Sequence, residues 1–211
     1  MTRPSPALPG YAELWCLSNF SFLRGASHPR ELVERAHRLE YQALALTDEC
    51  SLAGVVRAHE AARERGLKLL IGAQFEVQHA APFTLIVLAC NLDGYGNLCE
   101  FITRLRRRAD KGSYRLERHE IVPRALDDCV VLAAPARPAT PEQLLATARW
   151  LLDGFSGRCW LAVRLLRELG DELWQHQLRE ISALTAIPLV AAGDVHMHVR
   201  SRKPLQDVLT A

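Results

Sequence analysis

The sequence predicts an α/β protein of one domain, folded as a closed barrel of about seven strand–helix units, and three observations carry that prediction. Short apolar runs alternate with amphipathic segments of helical period along nearly the whole chain, the pattern of parallel βα units. Seven such units fit within 211 residues, one domain's length, and so favour a ring over an open doubly wound sheet. Neither G-x-G-x-x-G nor a phosphate-binding P-loop pattern occurs, which removes the usual signatures of an open nucleotide-binding sheet.

Taken in order, residues 11–17 read as a first strand and 19–25 as a loop. Ser27-His28-Pro29-Arg30-Glu31 opens a helix with a cap candidate, an early proline and an early glutamate. Leu32, Val33, Ala36 and Leu39 supply its apolar face. A second strand over 42–47 ends in Asp48-Glu49, and a helix over 52–65 is stopped by Gly66. A third strand covers 67–72, with a short continuation at 75–77. The run 83–90 is apolar after Thr84, as strands of a parallel sheet buried on both faces tend to be. Helices follow over 94–109, 141–152 and 171–186, and strands over 129–134, 159–165 and 189–192. The segment 204–209 is again helix-like.

Composition narrows the function classes. Hydrophobic residues make up 49% and charged residues 24%, an ordinary globular balance, and the formal net charge of +2 gives no global field toward nucleic acid or membrane. No apolar run approaches the roughly 20 residues that span a bilayer. The Pro-rich residues 1–10 lack a signal peptide's apolar core and read as a disordered leader, with the domain proper over 11–211. Six widely spaced cysteines without C-x-x-C fit reduced, mostly core positions in a cytoplasmic protein rather than disulfides or a zinc framework.

In a barrel of this kind, chemistry sits at the carboxyl ends of the strands. That directs attention to 15–19, Asp48-Glu49, Gln74, 91–93, Pro135, Arg164 and Gly193-Asp194-Val195-His196-Met197-His198. Alternate residues of a strand share a face, so Asp194, His196 and His198 would project together, a carboxylate with imidazoles. The bland reading is a buried, hydrogen-bonded Asp–His pair with His198 facing solvent. Asp48 and Glu49 fit an acid/base pair, or equally a helix cap and first-turn carboxylate. Trp15 fits packing at the barrel mouth better than stacking on a base. Histidines 28, 37, 59, 79, 119 and 176 lack partners at ligand spacing and read as surface residues.

The run Glu13-Leu14-Trp15-Cys16-Leu17-Ser18-Asn19-Phe20-Ser21-Phe22-Leu23-Arg24-Gly25-Ala26-Ser27-His28-Pro29 is similar to the opening of the polymerase and histidinol phosphatase (PHP) domain. More narrowly, it resembles the form that begins error-prone bacterial C-family DNA polymerases of the ImuC type. Ala45 to Gly54, Asn91 to Leu98 and Gly193 to His198 fit the same family in the same order. The resemblance covers essentially the whole chain and implies a distorted seven-stranded β/α barrel. Active members hold two or three metals with histidines and carboxylates and hydrolyse phosphoesters.

Carried over residue by residue, that ligand set is mostly missing. The family's H-x-H falls on Trp15-Cys16-Leu17, its T-D-H on Thr47-Asp48-Glu49, its G-x-E on Gly72-Ala73-Gln74 and a further histidine on Thr84. The aspartate of T-D-H stays at Asp48, and only the final D-x-H, Asp194 and His196, is intact, so the positions Trp15, Leu17, Asp48, Glu49, Gln74, Thr84, Asp194 and His196 are expected to form a vestigial site without metal, cofactor or catalysis. Any residual ion would be manganese or zinc on Asp48, Asp194 and His196.

The resemblance implies a structural domain that packs on the polymerase module of the same chain. Through the full protein it would serve template-directed DNA synthesis in damage-induced mutagenesis and repair, with DNA and other translesion proteins as partners. The isolated domain is expected to be inactive as a nucleotidyltransferase. An active phosphoesterase or 3′–5′ exonuclease with fewer ligands is the alternative. The basic run Arg104, Arg106, Arg107, Arg108, Lys111, Arg115 and Arg118 allows a third, a module contacting DNA or another domain, although it equally suits a solvated face at a helix C-terminus.

Overall fold

The computed structural model describes residues 10–211, so the expected leader, apart from Gly10, lies outside the described residues. Seven strands form one sheet in chain order. They are β1 (Ala12–Glu13), β2 (Ala43–Leu46), β3 (Lys68–Val77), β4 (Phe83–Ala89), β5 (Cys129–Pro135), β6 (Cys159–Val163) and β7 (Leu189–Ala191). Six α-helices interleave with them: α1 (Pro29–Arg38), α2 (Val55–Arg65), α3 (Leu92–Arg107), α4 (Pro141–Phe155), α5 (Asp171–Thr185) and α6 (Lys203–Thr210). Beyond β1 and β7, Cys16 pairs in parallel with Val195. Leu17 N–H donates to Val195 O at 2.8 Å and Val195 N–H to Trp15 O at 2.9 Å, so the two edges of the sheet meet.

The helix starts follow from local chemistry. Glu31 accepts from the backbone N–H of His28, which precedes Pro29 in α1, at 2.9 Å. Asn91 caps α3 by accepting from Gly94 N–H at 2.9 Å. Thr140 and Gln143 exchange hydrogen bonds at the start of α4. Gly66 ends α2 with φ of +67°, a left-handed conformation that glycine adopts without strain.

One expectation about the ring is overturned. The strands are not all parallel: β4 runs antiparallel to both β3 and β5. An apolar run buried on both faces looks the same in either direction, so composition could not reveal the reversal. The short link 78–82 between β3 and β4 was the available signal, because a parallel return needs about a dozen residues or more. The reversal moves the carboxyl end of β4, with 91–93, to the end of the barrel opposite β3's. Those residues therefore start α3 rather than join the candidate site.

Three apolar layers hold the barrel. Trp15, Ala45, Ile86, Leu88, Leu132, Ala134, Ala162 and Ala192 fill its interior, where the alanines leave room for one indole. Leu32, Val33, Leu44, Leu46, Ala58 and Ala62 pack α1 and α2 on β2. Phe75, Phe101, Leu105, Val131, Leu151, Phe155, Leu161 and Leu178 belong to the large layer beneath α3, α4 and α5. Cysteines 16, 50, 129 and 159 are buried and free, whereas Cys90 is exposed and Cys99 half-buried.

The seam between first and last strands is tied by a side chain. Glu13, 2% exposed, accepts from Trp15 N–H (2.9 Å) and Gly193 N–H (2.8 Å) through Oε1, and from the Tyr11 hydroxyl (2.9 Å) through Oε2. A Cβ on Gly193 would stand 2.3 Å from Glu13 Oε2, so the carboxylate can come this close only to glycine. Burial pushes the Glu13 carboxyl pKa up, against the pull of the groups that donate to it. Folding therefore favours the protonated acid, a contribution present below the ordinary carboxyl range and lost as pH rises through the folded value. Glu13→Gln keeps Oε1 as acceptor for both N–H groups and should leave stability at neutral pH equal to or above wild type. Glu13→Ala should cost about 2–4 kcal/mol through orphaned donors and a cavity. Urea unfolding from pH 4 to 8 checks both, and the Gln variant's advantage over wild type should grow as pH rises.

Candidate site at the carboxyl ends of the strands

Trp15 and Gln74 meet inside the barrel mouth, where the indole Nε1 donates to Gln74 Oε1 at 2.5 Å. Both residues are buried, as is Leu17. Gln74 Nε2 is buried without an acceptor among the described residues. Thr84, near the start of β4, is half-buried and lies opposite Glu76 and Ala134. Because β4 is reversed, Thr84 reaches the mouth from the strand's amino end.

Asp48 organises the loop after β1. Its Oδ1 accepts from Ser18 N–H and Ser21 Oγ, and its Oδ2 from Ser18 Oγ, each at 2.7 Å. Burial raises the Asp48 carboxyl pKa, although the serine donors oppose it. Asp48 and Glu49 are not a helix start: α2 begins only at Val55, with Gly54 as its cap residue. Nor do they form an acid/base pair with each other. Glu49 pairs with Arg24 and accepts from the Tyr114 hydroxyl at 2.9 Å, while Arg24 also reaches Glu76 at 2.9 Å. Burial first, then the Glu49 charge, pushes the Tyr114 phenol up.

Asp194, with φ of +51°, leaves the strand geometry, and this breaks the expected alternation. Its Oδ2 accepts from Arg164 Nη1 at 2.5 Å, and its Oδ1 lies 2.9 Å from His196 Nε2. Burial alone would raise the Asp194 pKa, but His196 and Arg164 together outweigh it and bring it below the ordinary value. The Arg164 guanidinium also stands 5.8 Å from the centre of the Trp15 ring. His198 does not join them; it turns to Ser27, with Nδ1 at 2.7 Å from Oγ and its backbone N–H donating to the same oxygen at 2.9 Å. The other six histidines are exposed.

The basic run lies at this same end, because α3 starts at the far end of the barrel and finishes beside Cys50. Arg106 is committed to the fold, donating to the carbonyls of Glu49 and Cys50 and to those of Gly112 and Ser113. Arg104 lies over Phe101, Arg118 over Trp150, and Arg108 stands 3.7 Å from Glu120. Arg115 pairs with Glu117. Arg107 and Lys111 are exposed.

The sequence marks Arg164 only as the end of a strand and Ser18 only as part of 15–19, and it does not single out Glu13, Ser21, Arg24 or Tyr114. The signals existed: Glu13 is a charge within an apolar run, and Ser18 and Ser21 are hydroxyls three apart beside a strand end. Among the described residues, no group of three or more His, Cys, Asp and Glu side chains is placed to hold a metal ion. No helix among them is long and apolar enough to cross a membrane.

Fold and site together define a seven-stranded α/β barrel whose mouth carries an aspartate, Asp194, matched by a guanidinium and an imidazole. The PHP domain model matches residues 13–158, and the chain belongs to that family. Curated relatives named error-prone DNA polymerase match nearly the whole chain. That of Dechloromonas aromatica is 53% identical over 97% of this chain, and that of Methylococcus capsulatus 51% identical over 95%. The chain spans about a fifth of these relatives' length, 20% and 19% respectively. Among solved structures, a candidate metal-dependent phosphoesterase from Bifidobacterium adolescentis superposes with a TM-score of 0.67 at 19% identity, covering 90% of this chain and 88% of that one. An amidohydrolase from Chromobacterium violaceum, with bound sulfate and no metal, gives 0.67 at 16% identity, covering 89% and 88%. At these identities the likeness concerns the fold alone.

Two outcomes test the site's electrostatics. Arg164→Met should destabilise the protein by about 1–3 kcal/mol at pH 7, less than for a fully buried pair because the guanidinium is 35% exposed. Asp194 has a lowered folded pKa, so its contribution is complete above the ordinary carboxyl value and lost as pH falls through the folded one. The stability gap between wild type and Arg164→Met should therefore narrow on acidification below about pH 4. In the basic run, Arg106→Ala should cost about 1–3 kcal/mol. Arg107→Ala should stay within about 0.5 kcal/mol. Chemical denaturation of each variant reads the difference.

Proposed function

We propose that this chain is the PHP domain of an error-prone, translesion DNA polymerase, and that within it the domain is a structural element without phosphoesterase activity. The full protein would perform template-directed synthesis during damage-induced mutagenesis and repair in the cytoplasm, with DNA and other translesion proteins as partners. The domain itself spans 11–211 and packs against the polymerase module. The relatives' name and greater length support the first part of this reading.

The second part rests on one observation: the Arg164 guanidinium is bonded to Asp194 and lies over Trp15 in the barrel mouth. A metal cluster needs several carboxylates and imidazoles with free lone pairs. Here Trp15 and Leu17 offer none, and Gln74 and Thr84 carry no charge. Asp48 is engaged by two serines, and Asp194 already has a tethered cation. The donor set does not fit two or three divalent ions, and we derive no hydrolytic step through them. Arg107 and Lys111 remain available for contact with DNA or the polymerase module, and Arg108 would first have to leave Glu120.

Elemental analysis of the full-length protein, with turnover of a chromogenic phosphodiester in manganese or zinc, tests this reading. We expect substoichiometric metal and no turnover. Stoichiometric metal with activity abolished by His196→Ala would establish a reduced-ligand phosphoesterase instead.

A further inference from the structure

Between α2 and the start of α3, in the half of the barrel away from the mouth, the wall of the ring has a notch. β3 is ten residues long but does not have a neighbour on both sides along its length. β2 pairs with Lys68–Ile71, whereas β4 pairs with Gly72–Val77 and then leaves at Ala89 to enter α3. On the β2 side, Gln74 N–H donates to Asp48 O and Gln74 O accepts from Cys50 N–H. Backbone groups of alternate strand residues face opposite edges, so Leu69 and Ile71 direct theirs to the side that β4 has left. The notch is a groove of about 630 Å³. Leu69, Leu70 and Ile71 line it, each only half-buried although they belong to a barrel strand. Val56, 67% exposed, and Leu92, 82% exposed, stand on its two helical walls. Lys68 and His59 are exposed along it, and its lining holds no aspartate or glutamate.

We propose that this notch takes an extended peptide from a separate protein, added to β3 as a strand. Its side chains would be apolar at alternate positions and acidic at the end that meets Lys68 and His59. Three features select that occupant. A strand supplies donors and acceptors to the open edge of Leu69 and Ile71, which a helix or an apolar small molecule cannot do. The charge lining the groove is of one sign, and a carboxylate complements it. The edge is also recessed between Val56 on α2 and Leu92 on α3. A single extended chain reaches it, whereas the same edge of a second folded copy, recessed in the same way, does not. The notch lies apart from the mouth, so its ligand is independent of the chemistry proposed there.

Fluorescence anisotropy of the labelled, capped peptide Glu-Val-Thr-Ile-Thr-Val with the full-length protein tests the assignment. We expect one-to-one binding with a Kd below about 1 mM. N-methylation of one alternating set of peptide amides should weaken it at least about tenfold, and of the other set by no more than about twofold. Lys68→Glu should weaken it about fivefold and reverse the preference toward the same peptide headed by Lys. Val56→Asp and Leu92→Asp, both at exposed positions that the barrel does not need, should weaken it as well. No binding, or equal loss for the two methylated sets, would overturn the proposal. Binding indifferent to all three variants would do the same by placing the peptide elsewhere. Hydrogen exchange of the Leu69 and Ile71 amides is read without peptide and should be fast. Protection that falls on dilution would overturn the proposal by showing that a second copy fills the notch, and protection at every concentration would do so by showing that the protein's own chain fills it.

Discussion

The barrel depends on a buried carboxylate at its seam. Glu13 gathers the Tyr11 hydroxyl, the Trp15 N–H and the Gly193 N–H, groups that come from the first and last strands of the ring. Closure places Trp15 beside Gln74 and brings the turn carrying Asp194 to Arg164. Without it the mouth would be two unconnected sheet edges, each with backbone groups lacking partners. A charge-bearing residue in this role costs desolvation, which its three donors offset only in part, so the carboxyl pKa stays raised. Glycine at position 193 is the steric condition that lets the oxygen atoms approach.

Electrostatically, the mouth balances itself. Asp194 has Arg164 and His196, Glu49 has Arg24, and Asp48 has serine hydroxyls and a backbone N–H. Planar, permanently charged and carried on a side chain, a guanidinium needs no binding equilibrium to stay in place. Its position over an indole adds packing that a hydrated ion could not supply. The small interior side chains Ala45, Ala134, Ala162 and Ala192 complement that indole in volume.

The ring of seven strands, the helix over 141–152 and the stop at Gly66 were legible because they rest on local signals: apolar period, a Thr–Pro start and a left-handed glycine. The strand ends carrying Asp48, Gln74 and Asp194 were legible for the same reason. Direction was not, since β4 reads alike forward and backward when both faces are buried. Pair identity was also hidden. Nothing in the sequence near Asp194 names Arg164, 30 positions away, as its partner, and the expected company of His198 was lost to one positive φ at Asp194. The basic run shows the limit of counting charges, because Arg106 lies among its neighbours in sequence yet spends its donors on four backbone carbonyls.

The reversed strand also bears on how the ring is assembled. β3 and β4 are joined by a five-residue link and pair along their facing lengths, so their contacts are local. The seam, by contrast, joins Glu13 to Gly193 across 180 positions, and the chain entropy lost in bringing such distant segments together is recovered only when both are docked. Local pairings therefore form readily, while the join between β1 and β7 waits for nearly the whole chain. Glu13 thus acts as the latch on a ring that is otherwise already built.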